Sequence, residues 1–97
     1  MILKDKNYLV TGAAQGIGLG ICKSILEAGG RVSMIDINED QLNDAAFKLE
    51  KKHPSATLPL IANLTEMNSF AIAIQKTHTL LGPIDGFCNS AAASKGL

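Results

Sequence analysis

The sequence predicts an α/β fold, a doubly wound parallel sheet covered by helices on both faces. Three observations carry that prediction. Short apolar runs alternate with longer stretches of helical periodicity along the chain, a pattern of βαβ units rather than hairpins. A glycine-rich loop, Gly12 to Gly18, separates the first apolar run from the first helical one. The third apolar run contains Pro59, which cannot donate to a strand ladder and therefore belongs at a sheet edge.

The elements follow in order. Tyr8-Leu9-Val10 forms a first strand running into Thr11-Gly12. A helix starts near Gly16, with Ile17, Ile21 and Ile25 along one face and Gly29-Gly30 ending it. Arg31 to Asp36 is a second strand, mostly apolar and closed by an acid. Asn38 caps the next helix, and Gln41 three residues on makes a capping box. Leu42, Ala45, Ala46 and Leu49 are its buried stripe, and His53-Pro54 stops it, because the residue before proline is pushed out of the α region. Leu58 to Ala62 is the third strand. Thr65 caps a third helix with Phe70, Ile74, Thr77 and Leu81 on one side, Gly82-Pro83 ends it, and Ile84 to Asn89 is the fourth strand. Right-handed crossovers leave few topologies for this order. In the Rossmann-type order 3-2-1-4 the third strand is the edge, where Pro59 requires it. Residues 1–97 are thus expected to be one partial nucleotide-binding domain, truncated after the fourth strand.

Composition removes several classes of function. Hydrophobic residues make up 46% of the chain and charged residues 19%, enough apolar material for a packed core. Nine basic and nine acidic side chains cancel, leaving no field for nucleic acid or anionic lipid. No apolar run approaches the roughly 20 residues of a membrane span. Cys22 and Cys88 are too few and too far apart for a disulfide framework. These features point to a soluble, cytoplasmic protein with free thiols. His53 and His78, the two histidines, stand at a helix end and on a helix face, and no metal site is expected.

The chemistry concentrates in Thr11-Gly12-Ala13-Ala14-Gln15-Gly16-Ile17-Gly18. Gly12 turns the chain off the strand, and Gly16 and Gly18 remove side chains where backbone must come close to a ligand or a neighbouring element. The first N–H groups of the helix lack internal partners and carry the positive end of its dipole, an anion site suited to a pyrophosphate. A P-loop is excluded, since Lys23-Ser24 follows Cys22 deep in the helix. A methyl-donor site is a nearer rival, but its loop usually opens with an acid where Thr11 stands. Asp36, 24 residues after Gly12, ends the second strand. Its carboxylate can accept both ribose hydroxyls of an adenosine and repels a 2′-phosphate. Neither Ile37 nor Gln15 offsets that repulsion, and Arg31 starts the strand at its far end. The expected cofactor is NAD rather than NADP.

On these residues the sequence resembles the short-chain dehydrogenase/reductase family from Lys6 to about Ala92. The resemblance rests on the glycine octet, on Asp36, and on Asp85-Gly86-Phe87-Cys88-Asn89-Ser90-Ala91-Ala92. The loop and helix start are most similar to NAD-dependent members of the 15-hydroxyprostaglandin dehydrogenase type. The resemblance implies that Gly12, Gln15, Gly16, Ile17 and Gly18 line the pyrophosphate and its ribose, and that Asp36 and Ile37 hold the adenosine ribose. Asn63 and Leu64 fall where the family has an aspartate and a small apolar residue at the adenine, so Asn63 is expected to accept from the adenine amino group through its carbonyl. Asn89 and Ala91 match the Asn-Asn-Ala-Gly motif beside the cofactor; Ser90 and Ala92 depart from it.

The family's acid/base machinery, a serine and a Tyr-x-x-x-Lys pair, has no match: the single tyrosine, Tyr8, is followed four residues later by Gly12. No catalytic residue is therefore assigned, and the 97-residue chain is expected to be inactive by itself. The resemblance implies hydride transfer with an alcohol or carbonyl substrate in a full-length form. The alternative is a short, non-catalytic product that at most binds dinucleotide or interferes with a full-length partner. In either case the fourth strand is an open apolar edge, a template for self-association.

Overall fold

The structure is a computed structural model and describes residues 2–90. The chain order is β1 (Asn7–Thr11), α1 (Gly16–Glu27), β2 (Arg31–Asp36), α2 (Glu39–Lys52), β3 (Thr57–Ile61), α3 (Met67–Leu80) and β4 (Gly86–Asn89). The four strands form one parallel sheet in the order β3-β2-β1-β4, the expected topology. Pro59 sits on the edge strand β3, opposite Met34.

Strand alternation divides the interior into two layers. Val10, Val32 and Met34 face α1 and α2 and join Cys22, Ile25, Leu26, Leu42, Ala45, Ala46 and Leu49 in the larger core. Leu9 and Ile35 point the other way and meet Ala62 and Ala73, with Phe70 and Ile74 of α3 packed against them. Helices on both faces are what make β2 buried on both sides, Val32 to Ile35 all being inaccessible.

Most local readings hold. β4 starts at Gly86 rather than Ile84, and α3 buries Ala73 and Thr77 while Phe70 and Ile74 are half-buried and Leu81 is its C-cap. Three further readings change. The α1 stripe is turned by one position: its buried residues are Gly18, Cys22, Ile25 and Leu26, while Ile17 is 59% exposed. The cause is Gly18, which lies against the backbone of Gly12 so closely that a β-carbon there would come 2.7 Å from the Gly12 carbonyl carbon. That contact sets the rotation of the helix, and Ile17 and Ile21 instead border a shallow depression with Leu3, Tyr8 and Cys88, with Ile25 lying between it and the core.

The second change is at the start of α2. Asn38 does accept from the Gln41 backbone at 3.0 Å, but the Gln41 side chain reaches across to Gln15 Oε1 at 3.4 Å. The Asn38 N–H goes to Asp36 Oδ1 instead, so the reciprocal half of the box is absent. The third is at α3, whose N-cap is Glu66, not Thr65. Thr65 is diverted because both its backbone N–H and its hydroxyl donate to Asn63 Oδ1, at 3.1 and 2.7 Å.

Candidate functional site

In a parallel sheet all strands end on the same side. Here β1, β2, β3 and β4 deliver Thr11, Asp36, Ile61 and Asn89 to one rim. The chain crosses from one face of the sheet to the other between β3 and β4, which makes the gap between β1 and β4 the topological switch point where such folds bind ligands. A cleft of about 600 Å³ opens there, bordered by Gly12, Asp36, Ile37, Asn63, Leu64 and Asn89 among others. Six residues picked from sequence for cofactor binding are thus brought together.

The rest are placed as follows. Gln15 is the N-cap of α1, with extended backbone and no side-chain cap bond. Gly16 has φ +59°, and a β-carbon built there meets nothing within 4 Å. Its glycine is therefore required by backbone conformation, and the space above it is open to a ligand. Gly12 has φ 63°, the sharp turn off the strand. Gly18 is buried beneath the loop, supporting it rather than lining the cleft. The Ile17 side chain borders the depression on the other side of α1, so the sequence-based placement in the pyrophosphate wall is corrected for its side chain. Ala91 lies outside the described residues, as does Ala92.

Asp36 braces the loop as well as the rim. Its Oδ2 accepts from the Ala14 backbone N–H and its Oδ1 from that of Asn38, both at 3.0 Å. One carboxylate thus ties the glycine loop to the end of β2, and each oxygen keeps a lone pair for a ribose hydroxyl. Among the described residues it is the single charged one bordering the cleft. Arg31 is not among them.

Two contacts escaped the sequence reading. Thr11 Oγ1 donates to Asn89 Oδ1 at 2.7 Å, which pins the Asn89 carbonyl and leaves its amide nitrogen as a donor; the β1–β4 register, pairing Thr11 with Asn89, is the missing information. Ser90, buried, donates its hydroxyl to the Thr11 carbonyl. The departure from the family motif at Ser90 thus fills a structural place, holding the end of β4 to that of β1. The apolar wall was also missed: Phe70 and Phe87 border the cleft with ring centroids 5.6 Å apart. Tyr8 packs against β4, where a β-carbon on Gly86 would lie 2.6 Å from its Cδ2 and closer still to its Cε2. Among the described residues no group of three or more His, Cys, Asp or Glu is arranged to hold a metal, and no helix is long and apolar enough to cross a membrane.

An open helix N-terminus, an acid at the end of β2 and an apolar slot together form the arrangement typical of dinucleotide-binding α/β domains. Residues 6–96 match the short chain dehydrogenase family; the chain belongs to that family. The post-translational flagellin modification protein A of Campylobacter coli is 35% identical over 89 residues, covering 92% of this chain and 35% of that protein. LigO of Sphingobium sp., solved in its apo form, is 31% identical with a TM-score of 0.81, over 91% of this chain and 33% of its own. L-sorbose reductase of Gluconobacter frateurii, solved with NADPH and L-sorbose, shares the fold at 22% identity and a TM-score of 0.83, over 90% of this chain and 33% of its own. The chain spans about a third of the length of these relatives. The similarity holds at the level of the family and does not single out the prostaglandin dehydrogenase type.

Proposed function

We propose that these residues are the NAD-binding portion of an oxidoreductase that moves hydride between a nicotinamide and a secondary alcohol or carbonyl. The observation that carries the choice of NAD is Asp36, the lone charge among the described residues bordering the cleft, at the end of β2. A 2′-phosphate about 4 Å away would be repelled by roughly 1 kcal/mol per unit charge in water and about 4 kcal/mol at the dielectric of a protein surface. Among the described residues no cation borders the cleft to offset this. Gly12 and Gly16 hold the pyrophosphate over the start of α1, Asp36 the ribose, Asn63 and Leu64 the adenine, and Asn89 the region toward the nicotinamide. The nicotinamide supplies hydride chemistry once bound. The acid/base groups and the substrate pocket are assigned to parts of a full-length form beyond these residues; within them no Tyr-x-x-x-Lys occurs.

Calorimetric titration with NAD, NADP and S-adenosylmethionine tests the reading. Saturable NAD binding that weakens at least tenfold in Asp36→Ala supports it. Preference for NADP sinks the cofactor choice, and preference for S-adenosylmethionine sinks the oxidoreductase reading.

A second reading, self-association through β4, draws on the exposed side of that strand. Phe87 is 51% exposed on one face, and the Leu3, Tyr8 and Ile17 depression lies on the other. A concentration-dependent rise in sedimentation coefficient, reduced by Phe87→Lys, is expected; a monomer at all concentrations refutes it.

A further inference from the structure

The Asn63 side chain is held in one orientation, and that orientation decides which edge of a purine it can read. Its Oδ1 accepts two hydrogen bonds, from the Thr65 backbone N–H at 3.1 Å and from the Thr65 hydroxyl at 2.7 Å. A backbone N–H can only donate, so the atom facing it is the amide oxygen and not the nitrogen. A carbonyl oxygen has two lone pairs, and both are taken. The oxygen therefore has no capacity left for an adenine amino group, contrary to the sequence-based expectation. What Asn63 offers the cleft is its amide nitrogen, which donates only. The turn is reinforced by the Glu66 N–H, which donates to the Asn63 backbone carbonyl at 3.0 Å.

We infer that Asn63 reads the purine of the dinucleotide as a hydrogen-bond donor, so that the site does not select for the exocyclic amino group of adenine. This rests on the dinucleotide reading above and adds a specificity to it. Adenine presents an amino donor beside ring-nitrogen acceptors; hypoxanthine carries a carbonyl oxygen in place of the amino group and an N1–H in place of the N1 acceptor, so O6, N3 and N7 still leave an acceptor on every edge. A lone donor finds an acceptor on either base. An aspartate at the same position keeps one oxygen for Thr65 and presents the other as a charged acceptor, which rewards the amino group and meets the hypoxanthine carbonyl with repulsion.

The test is a pair of dissociation constants, for NAD and for nicotinamide hypoxanthine dinucleotide, on the natural chain and on Asn63→Asp. The natural chain is expected to bind the two within about threefold of each other, and Asn63→Asp to shift the ratio toward NAD by about tenfold, as for one hydrogen bond to a charged group. The substitution is isosteric and preserves the Thr65 contacts, so circular dichroism should be unchanged. A natural chain that prefers NAD tenfold or more overturns the inference, as does a ratio that Asn63→Asp leaves where it was. If neither dinucleotide binds, the dinucleotide reading itself fails, an outcome separate from a wrong base preference.

Discussion

Replacing Gly18 by alanine tests the contact that sets the position of α1 and of the glycine loop together. A β-carbon at Gly18 would stand 2.7 Å from the Gly12 carbonyl carbon and 2.5 Å from Ser90 Oγ, and closer still to the Gly12 carbonyl oxygen. Ordinary contact begins at 3.4 Å, so the helix must back away from the backbone it rests on. No flexible side chain can absorb that shift on the Gly12 side. Overpacking of this kind costs about 1–3 kcal/mol. Displacing Ser90 from the Thr11 carbonyl removes a buried hydrogen bond worth about 1 kcal/mol more. Alanine returns about 1 kcal/mol through its helix propensity. The expected net loss is about 2 kcal/mol, a fall in Tm of roughly 8–16 °C for a domain of this size. Gly20→Ala supplies the control on the same helix. Its β-carbon meets nothing within 4 Å, so only the propensity acts, and a gain of up to about 1 kcal/mol is expected. Thermal and urea denaturation followed by circular dichroism measure both. If Gly18→Ala is as stable as Gly20→Ala, the helix is not seated on the Gly12 backbone and the account of the loop is wrong. Because Gly12 borders the cleft, NAD binding should weaken in Gly18→Ala and stay unchanged in Gly20→Ala.

Three further predictions concern the frame around the site. The buried hydroxyls of Thr77 and Ser33 are 2.8 Å apart, tying α3 to the centre of β2; Thr77→Val leaves the Ser33 hydroxyl without that partner and should cost about 1–3 kcal/mol by urea titration, whereas a loss under 0.5 kcal/mol would show the pair to be unimportant. Glu50 holds the turn after α2 by accepting from the Ser55 N–H and the Thr57 hydroxyl, and these bonds lower its pKa below its ordinary 4.5. A carboxyl depressed by folding contributes stability above its unfolded pKa and loses it as pH falls through the folded one. Glu50→Gln should therefore lower Tm at neutral pH, with the difference from the natural chain shrinking below about pH 4.5; a constant difference down to pH 2.5 would reject this. Burial first, and then the neighbouring Cys88, push the Cys22 thiol up to about 12, so it stays protonated at neutral pH. A thiol reagent should modify one cysteine of the folded chain, the half-buried Cys88, and reach Cys22 only in denaturant; modification of both at equal rates would contradict that burial.

The sequence by itself determined the alternation of elements, the strand order and six of the residues that border the cleft. Each of these depends on local chemistry or on a single excluded group. Pro59 lacks an N–H wherever it stands, and so marks an edge strand before any fold is known. Gly12 and Gly16 take positive φ because the turn into α1 demands it locally. Asp36 is the last residue of its strand in sequence and so must appear at its end.

Only the tertiary structure decided what depends on two distant segments meeting. The rotation of α1 follows from Gly18 touching Gly12 and Ser90, and the hydrophobic pattern alone favoured the isoleucine stripe one position away. The partner of Asn89 is Thr11, 78 residues apart in the chain, which only the β1–β4 register reveals. The Asn63 oxygen is consumed by Thr65 two residues later, and a cap assignment for Thr65 concealed this because both uses of the hydroxyl fit the same short stretch. A side chain with several possible partners takes the one whose geometry the backbone permits, and periodicity in a sequence does not hold that geometry.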